Sequence, residues 1–310
     1  MKWAVALALS VLTLAAQTPA PPAATVNSIG MAFVRIEPGT MQVGVFHPDC
    51  ENGGGGRGAP RDPRMVWVEA DRAACEAQTR ADRRDGFPVT IRKAYLIGKT
   101  EVTQGQWKAV MRTNPSLFQA DRVTNPDNHP VESVSWQDAQ AFVKALNAKE
   151  KTRTYRLPTE FEWEYACRAG GPGQQTWTEI RAQAVLGLGL GLAGRGAGGR
   201  GSVPAAPSSE PLPPETLMQY TARTGRTNEV GSKPPNAWGV HDMLGNVWEW
   251  VADPYNGKIF PDPTPPKSGS VHVLKGGGFA SDVKNAICAT HAFGPGDPFA
   301  VGFRIVKDLP

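Results

Sequence analysis

The run from Trp238 to Trp250 constrains the fold of this chain more than any other stretch. It reads Trp-Gly-Val-His-Asp-Met-Leu-Gly-Asn-Val-Trp-Glu-Trp, with carboxylates at Asp242 and Glu249 on either side of Gly245. Oxygen donors this close together, with a glycine that lets the backbone turn inward, are typical of a site for a hard cation such as calcium. The tryptophans add large apolar surfaces that anchor such a loop to a core. The run therefore predicts a loop that a cation pins to the interior.

The composition predicts a loop-rich domain with short regular elements. The chain of 310 residues contains 28 prolines and 34 glycines, too many for a fold dominated by helices. Its 40% hydrophobic residues are enough for a substantial core. The formal net charge is only +4, and no basic run is interleaved with aromatic residues. Binding to nucleic acid is therefore not expected.

The first residues have the pattern of a secretory signal peptide. Residues 1–16 contain Lys2, an apolar stretch from Trp3 to Leu14 and two small residues. About a dozen apolar residues are too few to span a bilayer, so no transmembrane segment is expected after signal cleavage. Residues 17–28 are rich in proline and predict an extended tether. We therefore expect an exported protein, periplasmic or secreted.

The rest of the chain, residues 29–310, is predicted to form one domain with an insertion. The stretch Gly187–Gly201 alternates glycine with leucine, alanine and arginine, and a run rich in proline and serine follows it. Glycine has a high entropic cost of ordering and offers no side chain to bury. Residues of about 170–218 are therefore predicted to be a disordered or loosely docked insertion. A phosphate-binding loop is not indicated, because no Gly-Lys-Ser/Thr follows these glycines.

Four cysteines, Cys50, Cys75, Cys167 and Cys288, allow three disulfide connectivities in an exported protein. Cys50 and Cys75 lie in one irregular region, so we favour Cys50–Cys75 and Cys167–Cys288. Buried free thiols remain the alternative. No Cys-x-x-Cys is present, which argues against structural zinc and against a thioredoxin-type redox pair.

Three helix starts are predicted from capping chemistry. Thr103 precedes Gln106, Ser135 precedes Asp138 and Thr159 precedes Glu162, each by three residues. A hydroxyl at the N-cap and a polar side chain three positions later form a capping box. Strands are predicted by alternating apolar residues within 31–45, with a hairpin turn at Pro38-Gly39, within 87–97, within 271–274 and within 302–306.

Read in order, seven motifs identify a family. They are Met31-Ala-Phe-Val-Arg-Ile-Glu-Pro-Gly-Thr-Met, Lys99-Thr-Glu-Val-Thr-Gln-Gly-Gln-Trp107, His129-Pro-Val-Glu-Ser-Val-Ser-Trp136, Arg156-Leu-Pro-Thr-Glu-Phe-Glu-Trp-Glu-Tyr-Ala-Cys-Arg168, the run Asn236–Trp250, Gly276-Gly-Gly-Phe and Gly302-Phe-Arg304. This ordered set resembles the sulfatase-modifying factor family, the formylglycine-generating enzymes. The resemblance covers about 30–170 and 225–306. It implies a compact, loop-rich α+β domain related to C-type lectins, with little regular secondary structure.

The resemblance also implies a calcium site in the opening run. Its ligands in this chain would be Asp242, the backbone carbonyls of Gly245 and Val247, and the carboxylate of Glu249. The alternative is that Asp242 and Glu249 are solvated turn residues. A second calcium site of some family members is not expected, because this chain diverges from them before Pro234.

The catalytic motif of the family matches poorly. In the oxidising enzymes two cysteines, five residues apart, follow the glycine turn and bind copper(I), because soft thiolates select that ion. The corresponding positions here are Ser281 and, without a gap, Ala286. Cys288 is the only cysteine nearby, and one thiol does not make a two-sulfur site. Copper is therefore not expected, and no catalytic residue is assigned.

Iron remains an alternative metal. A non-haem iron site needs two histidines and a carboxylate. His241 and His272 would have to approach Asp282, and nothing in their spacing requires it. His129 lies in a His-Pro-Val turn and is expected to pack and hydrogen-bond.

Two functions follow from the sequence. One is an exported scaffold of the family fold, stabilised by calcium and without formylglycine-generating activity, that binds a peptide, a glycan or a protein through the loops of about 276–298. The other is a periplasmic oxidoreductase of the wider family, with a peptide or protein substrate and either formylglycine-generating-type oxidation or iron chemistry. The missing cysteine pair favours the scaffold.

Overall fold

The structure is a computed structural model of the chain. It describes residues 25–46, 84–170, 225–233, 235–256, 266–279, 288–293 and 299–310. The predicted signal peptide, Cys50, Cys75, Ser281, Asp282, Ala286 and nearly all of the predicted insertion lie outside these residues. The predictions made for them stay predictions.

The three predicted helices are present, and each begins at its capping box. They are α1 (Gln104–Met111), α2 (Trp136–Lys149) and α3 (Glu160–Arg168), capped by Thr103, Ser135 and Thr159. In each case the hydroxyl accepts from the amide three residues on, and the side chain there accepts from the amide of the cap. A single 3₁₀ turn, Pro126–Asn128, lies between α1 and α2. The sequence prediction of these helix starts is confirmed.

The described strands form three small sheets. Their bounds are β1 (Thr25–Val26), β2 (Ala32–Ile36), β3 (Gly39–Phe46), β4 (Arg84–Ile91), β5 (Tyr95–Gly98), β6 (Tyr155–Arg156), β7 (Trp248–Pro254), β8 (His272–Lys275), β9 (Ala292–Phe293), β10 (Val301–Phe303) and β11 (Val306–Asp308). The sheet orders are β1-β2-β5-β11-β6, β10-β7-β8-β9 and β3-β4. β10 runs parallel to β7, and the other pairs are antiparallel. Short helices, small sheets and long connections make the α+β, loop-rich fold that was predicted.

Three strand predictions were wrong in connectivity. Pro38-Gly39 does not turn a hairpin, because β2 pairs with β1 and β5 while β3 pairs with β4. The stretch 87–97 is divided between β4 and β5, which lie in different sheets. The stretch 302–306 is likewise divided between β10 and β11. Alternation in a sequence shows which face is buried, but it does not show which strand is the partner.

Thr25 and Val26, from the predicted tether, pair with Phe33 and Ala32. The folded part of the chain therefore starts a few residues earlier than position 29. Both side chains are exposed, which is consistent with the prediction that this segment adds nothing to the core.

Two large clusters of buried residues form the core. One joins α1 and α2 to strands of the two larger sheets, with Trp107 stacked on Phe142 at 5.5 Å between ring centroids. The other surrounds α3, where Trp163 is fully buried. A smaller cluster contains Phe118 and Phe279, whose rings meet edge to face at 5.1 Å. None of the described helices is long and apolar enough to cross a membrane.

Candidate functional site

The tryptophan-rich run is anchored to the core at both ends. Trp250 is 5% exposed, and its indole N–H donates to the carbonyl of Val134 at 2.9 Å. Trp238 packs edge to face on Tyr165 of α3, with 4.9 Å between ring centroids. The predicted role of the tryptophans as anchors is confirmed at both positions.

Glu249 lies on β7 and forms a buried ion pair with Arg304, which directly follows β10. Arg304 donates from Nε to Oε2 and from Nη2 to Oε1, both at 2.6 Å. The indole N–H of Trp163 also donates to Oε2, at 2.7 Å. Neither charged residue is more than 1% exposed. Glu249 is therefore a buried structural centre and not a solvated turn residue.

Arg304 also joins the sheets to the loop. Its Nη1 donates to the carbonyl of Gly98 at the end of β5, and its Nη2 donates to the carbonyl of His241, both at 3.1 Å. One guanidinium thus connects both larger sheets and the tryptophan-rich run. Burial alone would lower the pKa of Arg304, but the carboxylate of Glu249 raises it, so the side chain stays charged. Arginine can hydrogen-bond to all three segments at once because its donors form a fixed planar fork.

Two further carboxyl groups, those of Asp242 and Glu101, are buried beside this pair. Asp242 is 4% exposed, and its Oδ2 accepts from the amide of Gly231 at 2.6 Å. Its Oδ1 and both carboxyl oxygens of Glu101 are buried and accept from no donor group in the described part of the chain. When Glu101 is protonated, its carboxyl group can donate a hydrogen bond to Asp242. Burial raises the pKa of Asp242 to about 6. Burial and the charges of Asp242 and Glu249 raise the pKa of Glu101 well above its usual range.

The sequence did not single out Glu101. The residue stands at position three of Lys99-Thr-Glu-Val-Thr, just after β5, and is fully buried. The local indication that Glu101 is buried is its position just after β5, a strand of apolar residues. Its proximity to Asp242 could not be seen, because 141 residues separate the two in the chain.

The residues of the predicted calcium site fit a hard cation in part. The orphaned Oδ1 of Asp242 is a suitable ligand atom. Glu249 accepts three hydrogen bonds, and a carboxylate has about four acceptor positions, so Oε1 retains one. With all groups ionised, Glu101, Asp242, Glu249 and Arg304 carry a net charge of −2, which a divalent cation would neutralise. A carboxylate shared with a guanidinium is, however, a weaker ligand than a free one.

The glycine turn after β8 lies against the tryptophan-rich run. The amide of Gly245 donates to the carbonyl of Gly276 at 2.9 Å, and the amide of Phe279 donates to the carbonyl of Asn246 at 2.8 Å. Gly276 has φ of +85°, and a Cβ there would lie 2.9 Å from the carbonyl oxygen of Met243. Only glycine fits this approach without strain. The two motifs therefore form one compact unit.

The predicted disulfide between Cys167 and Cys288 is present. It joins the end of α3 to the segment that follows the glycine turn, and both residues are at most 7% exposed. Cys288 is therefore not a free thiol. Ser281 and Ala286 lie outside the described residues, and their match to the copper-ligand positions of the family stays a prediction. Within the described ranges both cysteines are in this disulfide, so neither offers a thiolate for a two-sulfur copper(I) site.

The histidines considered for iron have other contacts. The ring of His272 stacks on Trp136 with 3.7 Å between centroids. The Nδ1 atom of His241 lies 2.7 Å from the carbonyl oxygen of Lys233. His129 hydrogen-bonds Thr227 at 2.8 Å, in keeping with its predicted role. Across the described ranges, no group of three or more histidine, cysteine, aspartate or glutamate side chains is arranged to hold a metal ion.

A second buried ionic network surrounds α3. Lys275 is fully buried, and its ammonium lies 3.0 Å from Glu164 and 3.5 Å from Glu160. His291 contacts Glu160 through Nδ1 at 2.6 Å, and Arg168 pairs with Glu164. Burial would raise the pKa of Glu160, but Lys275 and His291 hold it below its usual value. This network could not be predicted from the sequence, since nothing local marks Lys275 as buried.

The fold is that of a sulfatase-modifying-factor-like domain. The model of the sulfatase-modifying factor enzyme 1-like domain matches residues 32–309, so the chain belongs to this family. Among curated proteins, the chaperone protein LppX of Paenibacillus barcinonensis is 29% identical over 257 residues, which cover 72% of this chain and 80% of that protein. The formylglycine-generating enzyme of Streptomyces coelicolor is 33% identical over 165 residues, which cover 51% of this chain and only 44% of the enzyme.

Solved structures agree on the fold. PvdO from Pseudomonas aeruginosa superposes with a TM-score of 0.61 at 21% identity, covering 94% of this chain and all of that one. At this level of identity the similarity establishes the architecture and leaves the activity open.

Proposed function

We propose that this protein is an exported, calcium-stabilised scaffold of the sulfatase-modifying-factor family that binds a polypeptide and lacks formylglycine-generating activity. The observation that carries the proposal is the disulfide between Cys167 and Cys288. It leaves Cys288, the cysteine near the glycine turn, without a free thiolate that could bind copper. Ser281 and Ala286, at the positions expected for the copper ligands, provide no thiolate.

A polypeptide ligand is the most economical choice among the peptide, glycan and protein ligands that the sequence left open. A relative that shares most of its length with this chain is named a chaperone protein. A chaperone acts on other polypeptides and needs no catalytic centre. The loops that follow the glycine turn, about 276–298, are the proposed binding surface. Export follows from the signal-peptide pattern of residues 1–16 and is consistent with a structural disulfide.

An assay of oxidation tests the absence of activity. Purified protein is incubated with copper(I), oxygen and a cysteine-containing peptide, beside the Streptomyces coelicolor relative as a positive control. We expect no peptide oxidation and no oxygen consumption above a metal-free sample. Copper-dependent conversion of the peptide cysteine to an aldehyde by the protein would refute the scaffold proposal.

Calcium is proposed as a structural ion held by Asp242, the carbonyls of Gly245 and Val247, and one oxygen of Glu249. When bound, it would neutralise the buried carboxylates without taking part in any reaction. It would bind only the folded chain, and such an ion adds about 2.7 kcal/mol at a concentration one hundred times its dissociation constant. Adding calcium should therefore raise the melting temperature of chelator-treated protein.

The matched variants for this test are Asp242→Asn and Asp121→Asn. Asp242→Asn keeps the shape of the buried side chain and removes its charge, so the response to calcium should fall sharply. Asp121 has a 73% exposed side chain and serves as the control. An unchanged melting temperature on addition of calcium to the parent protein would remove the calcium proposal and leave the scaffold proposal intact.

The second candidate is a periplasmic oxidoreductase of the wider family. The similarity to a formylglycine-generating enzyme is the observation in its favour. Either copper or iron would have to use residues other than a cysteine pair. Elemental analysis of the purified protein separates the two: calcium alone supports the scaffold, while stoichiometric copper or iron supports the oxidoreductase.

A further inference from the structure

A cleft with a volume of about 540 Å³ lies apart from the calcium and glycine-turn region. It is bounded by the end of β4, the turn into β5, the start of α3 and the end of the chain. None of its lining residues belongs to the tryptophan-rich run or to the glycine turn. Its lining includes Ile91, Arg92, Lys93, Arg156, Phe161 and Leu309. The volume lies in the range typical of sites for small organic molecules.

One wall of the cleft is fixed by Arg156. Its guanidinium donates to both carboxyl oxygens of Glu162 at 2.6 and 2.7 Å, and to Asp308 at 2.8 and 3.0 Å. A fifth N–H contact reaches the carbonyl of Leu157 at 3.2 Å. All five donors of the guanidinium are therefore used. Arg156 pairs with both carboxylates of the wall, which leaves the three residues a formal charge of −1, and it has no donor left for a ligand.

The rim of the cleft carries two cations that have no partner among the described residues. Arg92 and Lys93 are consecutive and exposed. Neither forms a hydrogen bond or an ion pair with any residue in the described part of the chain. Across the lining there are three cations and two carboxylates, so the cleft has a formal charge of +1. Arg92 and Lys93 can therefore donate to a ligand, and their positive charge favours an anionic one.

The interior of the cleft is partly apolar. Phe161 is half-buried and packs edge to face on Phe87, with 6.0 Å between ring centroids. Ile91 is 8% exposed, and Leu309 is partly buried against the core. A ring or a short alkyl chain can cover these side chains while a charged end remains at the rim. The two parts of the cleft thus match the two parts of an amphiphilic anion.

The free edge of β4 offers an alternative, the addition of an extended peptide as a third strand. In the described part of the chain, β4 is paired with β3 only. Pro88, opposite Gln42, lies in the middle of this edge strand and has no backbone N–H to donate. Proline on an edge is a device that prevents strand addition. A small molecule is therefore favoured over a peptide strand.

We propose that this cleft binds a small organic anion, a carboxylate or phosphate attached to an apolar body, with the anionic group at Arg92 and Lys93 and the apolar body on Phe161. The site is independent of the proposed scaffold function. A failure of one proposal leaves the other unaffected.

Isothermal titration calorimetry on the full chain tests the proposal with three probes. Phenyl phosphate has both parts, inorganic phosphate has only the charge, and benzyl alcohol has only the ring. We expect saturable binding of phenyl phosphate with a dissociation constant of about 1 mM or lower, and at least about tenfold weaker binding of the other two. Equal binding of phenyl phosphate and inorganic phosphate, or no saturable binding of phenyl phosphate, would overturn the proposal.

Two double variants test the position of the site. Arg92→Ala with Lys93→Ala should weaken phenyl phosphate binding by at least about tenfold, since it removes both charge-assisted contacts. Lys144→Ala with Lys149→Ala removes two exposed lysines from α2 and should leave binding unchanged. All four substituted residues are on the surface, so neither double variant should affect folding. An equal loss in the two double variants would show non-specific attraction and would contradict the proposed position.

Discussion

Arg304 donates two parallel hydrogen bonds of 2.6 Å to the carboxylate of Glu249, and both side chains are fully buried. The two residues are 55 positions apart in the chain and belong to the segments that the family motifs mark most strongly. Their pairing shows that Glu249 is part of the framework of the fold. The same carboxylate that the sequence suggested as a calcium ligand also holds the two larger sheets and the loop together.

Removing one member of this pair should strongly destabilise the protein. In Arg304→Met, Glu249 would be left buried without its counter-charge, and in Glu249→Gln the guanidinium would lose its partner. The expected loss is about 3–5 kcal/mol in the free energy of unfolding, measured by urea denaturation. Arg35→Ala, at an exposed ion pair with Glu37, is the control and should leave stability unchanged. A loss in Arg304→Met no larger than in the control would contradict the assignment.

Trp163→Phe isolates the third contact of Glu249. The substitution retains an aromatic ring in the buried site and removes the indole N–H that donates to Oε2. A hydrogen bond to a charged acceptor contributes about 1.5–3 kcal/mol, and the smaller ring adds a packing loss. Trp107→Phe provides a comparison, because its N–H reaches only a hydroxyl, that of Thr113, at 3.3 Å. We expect Trp163→Phe to lower the urea midpoint more than Trp107→Phe does.

The disulfide between Cys167 and Cys288 predicts that neither cysteine has a reactive thiol. In a Cys50→Ala, Cys75→Ala background, the unreduced protein should show no reaction with a thiol reagent, even after unfolding in urea. Further replacement of Cys167 and Cys288 by alanine should cost about 2–5 kcal/mol, because the cross-link closes a chain segment of 121 residues. Reactive thiols in the oxidised background protein would show that these cysteines are free. That result would support the oxidoreductase as the function.

His272 should make the protein less stable as the pH decreases through about 6.5, while the raised pKa of Asp242 acts in the opposite direction. Burial lowers the pKa of His272 in the folded protein, so the neutral ring is favoured there. Below the ordinary histidine pKa the unfolded chain takes up the proton first, and stability is lost until the folded ring also titrates. Above pH 6.5 the ring is neutral in both states, and its contribution is complete.

His272→Phe is the matched variant for this prediction. Phenylalanine retains the ring that stacks on Trp136 but does not titrate. Urea denaturation at pH 7.5 and at pH values between 6.5 and 5 should show a smaller loss of stability in the variant than in the parent. An identical pH dependence of the two proteins would show that His272 does not contribute.

Local chemistry explains what could be predicted correctly from the sequence. The capping boxes at Thr103, Ser135 and Thr159 depend on a residue three positions away, so they are visible in the sequence and are present in the structure. The pairing of Cys167 with Cys288 was favoured because the other two cysteines share one irregular region. The family was recognisable because its motifs recur in order along most of the chain.

Other features depended on residues that are distant in sequence. The Pro38-Gly39 turn resembles a hairpin because a strand lies on each side, yet β2 and β3 belong to different sheets. Arg304 falls within a stretch that alternates like a single strand, but Arg304 and Ile305 separate β10 from β11. Lys275 has no neighbour in sequence that would neutralise it, and only the approach of α3 provides Glu160 and Glu164.

The sequence by itself determined the family, the three helix starts and the anchoring role of the tryptophans. Each of these depends on residue types at short spacing or on an ordered set of motifs. The tertiary structure decided how the charges are paired: Arg304 with Glu249, Lys275 with two glutamates of α3, and Glu101 beside Asp242. The physical reason is that a buried charge is stable only where its partner is, and that partner comes from a distant segment brought near by folding.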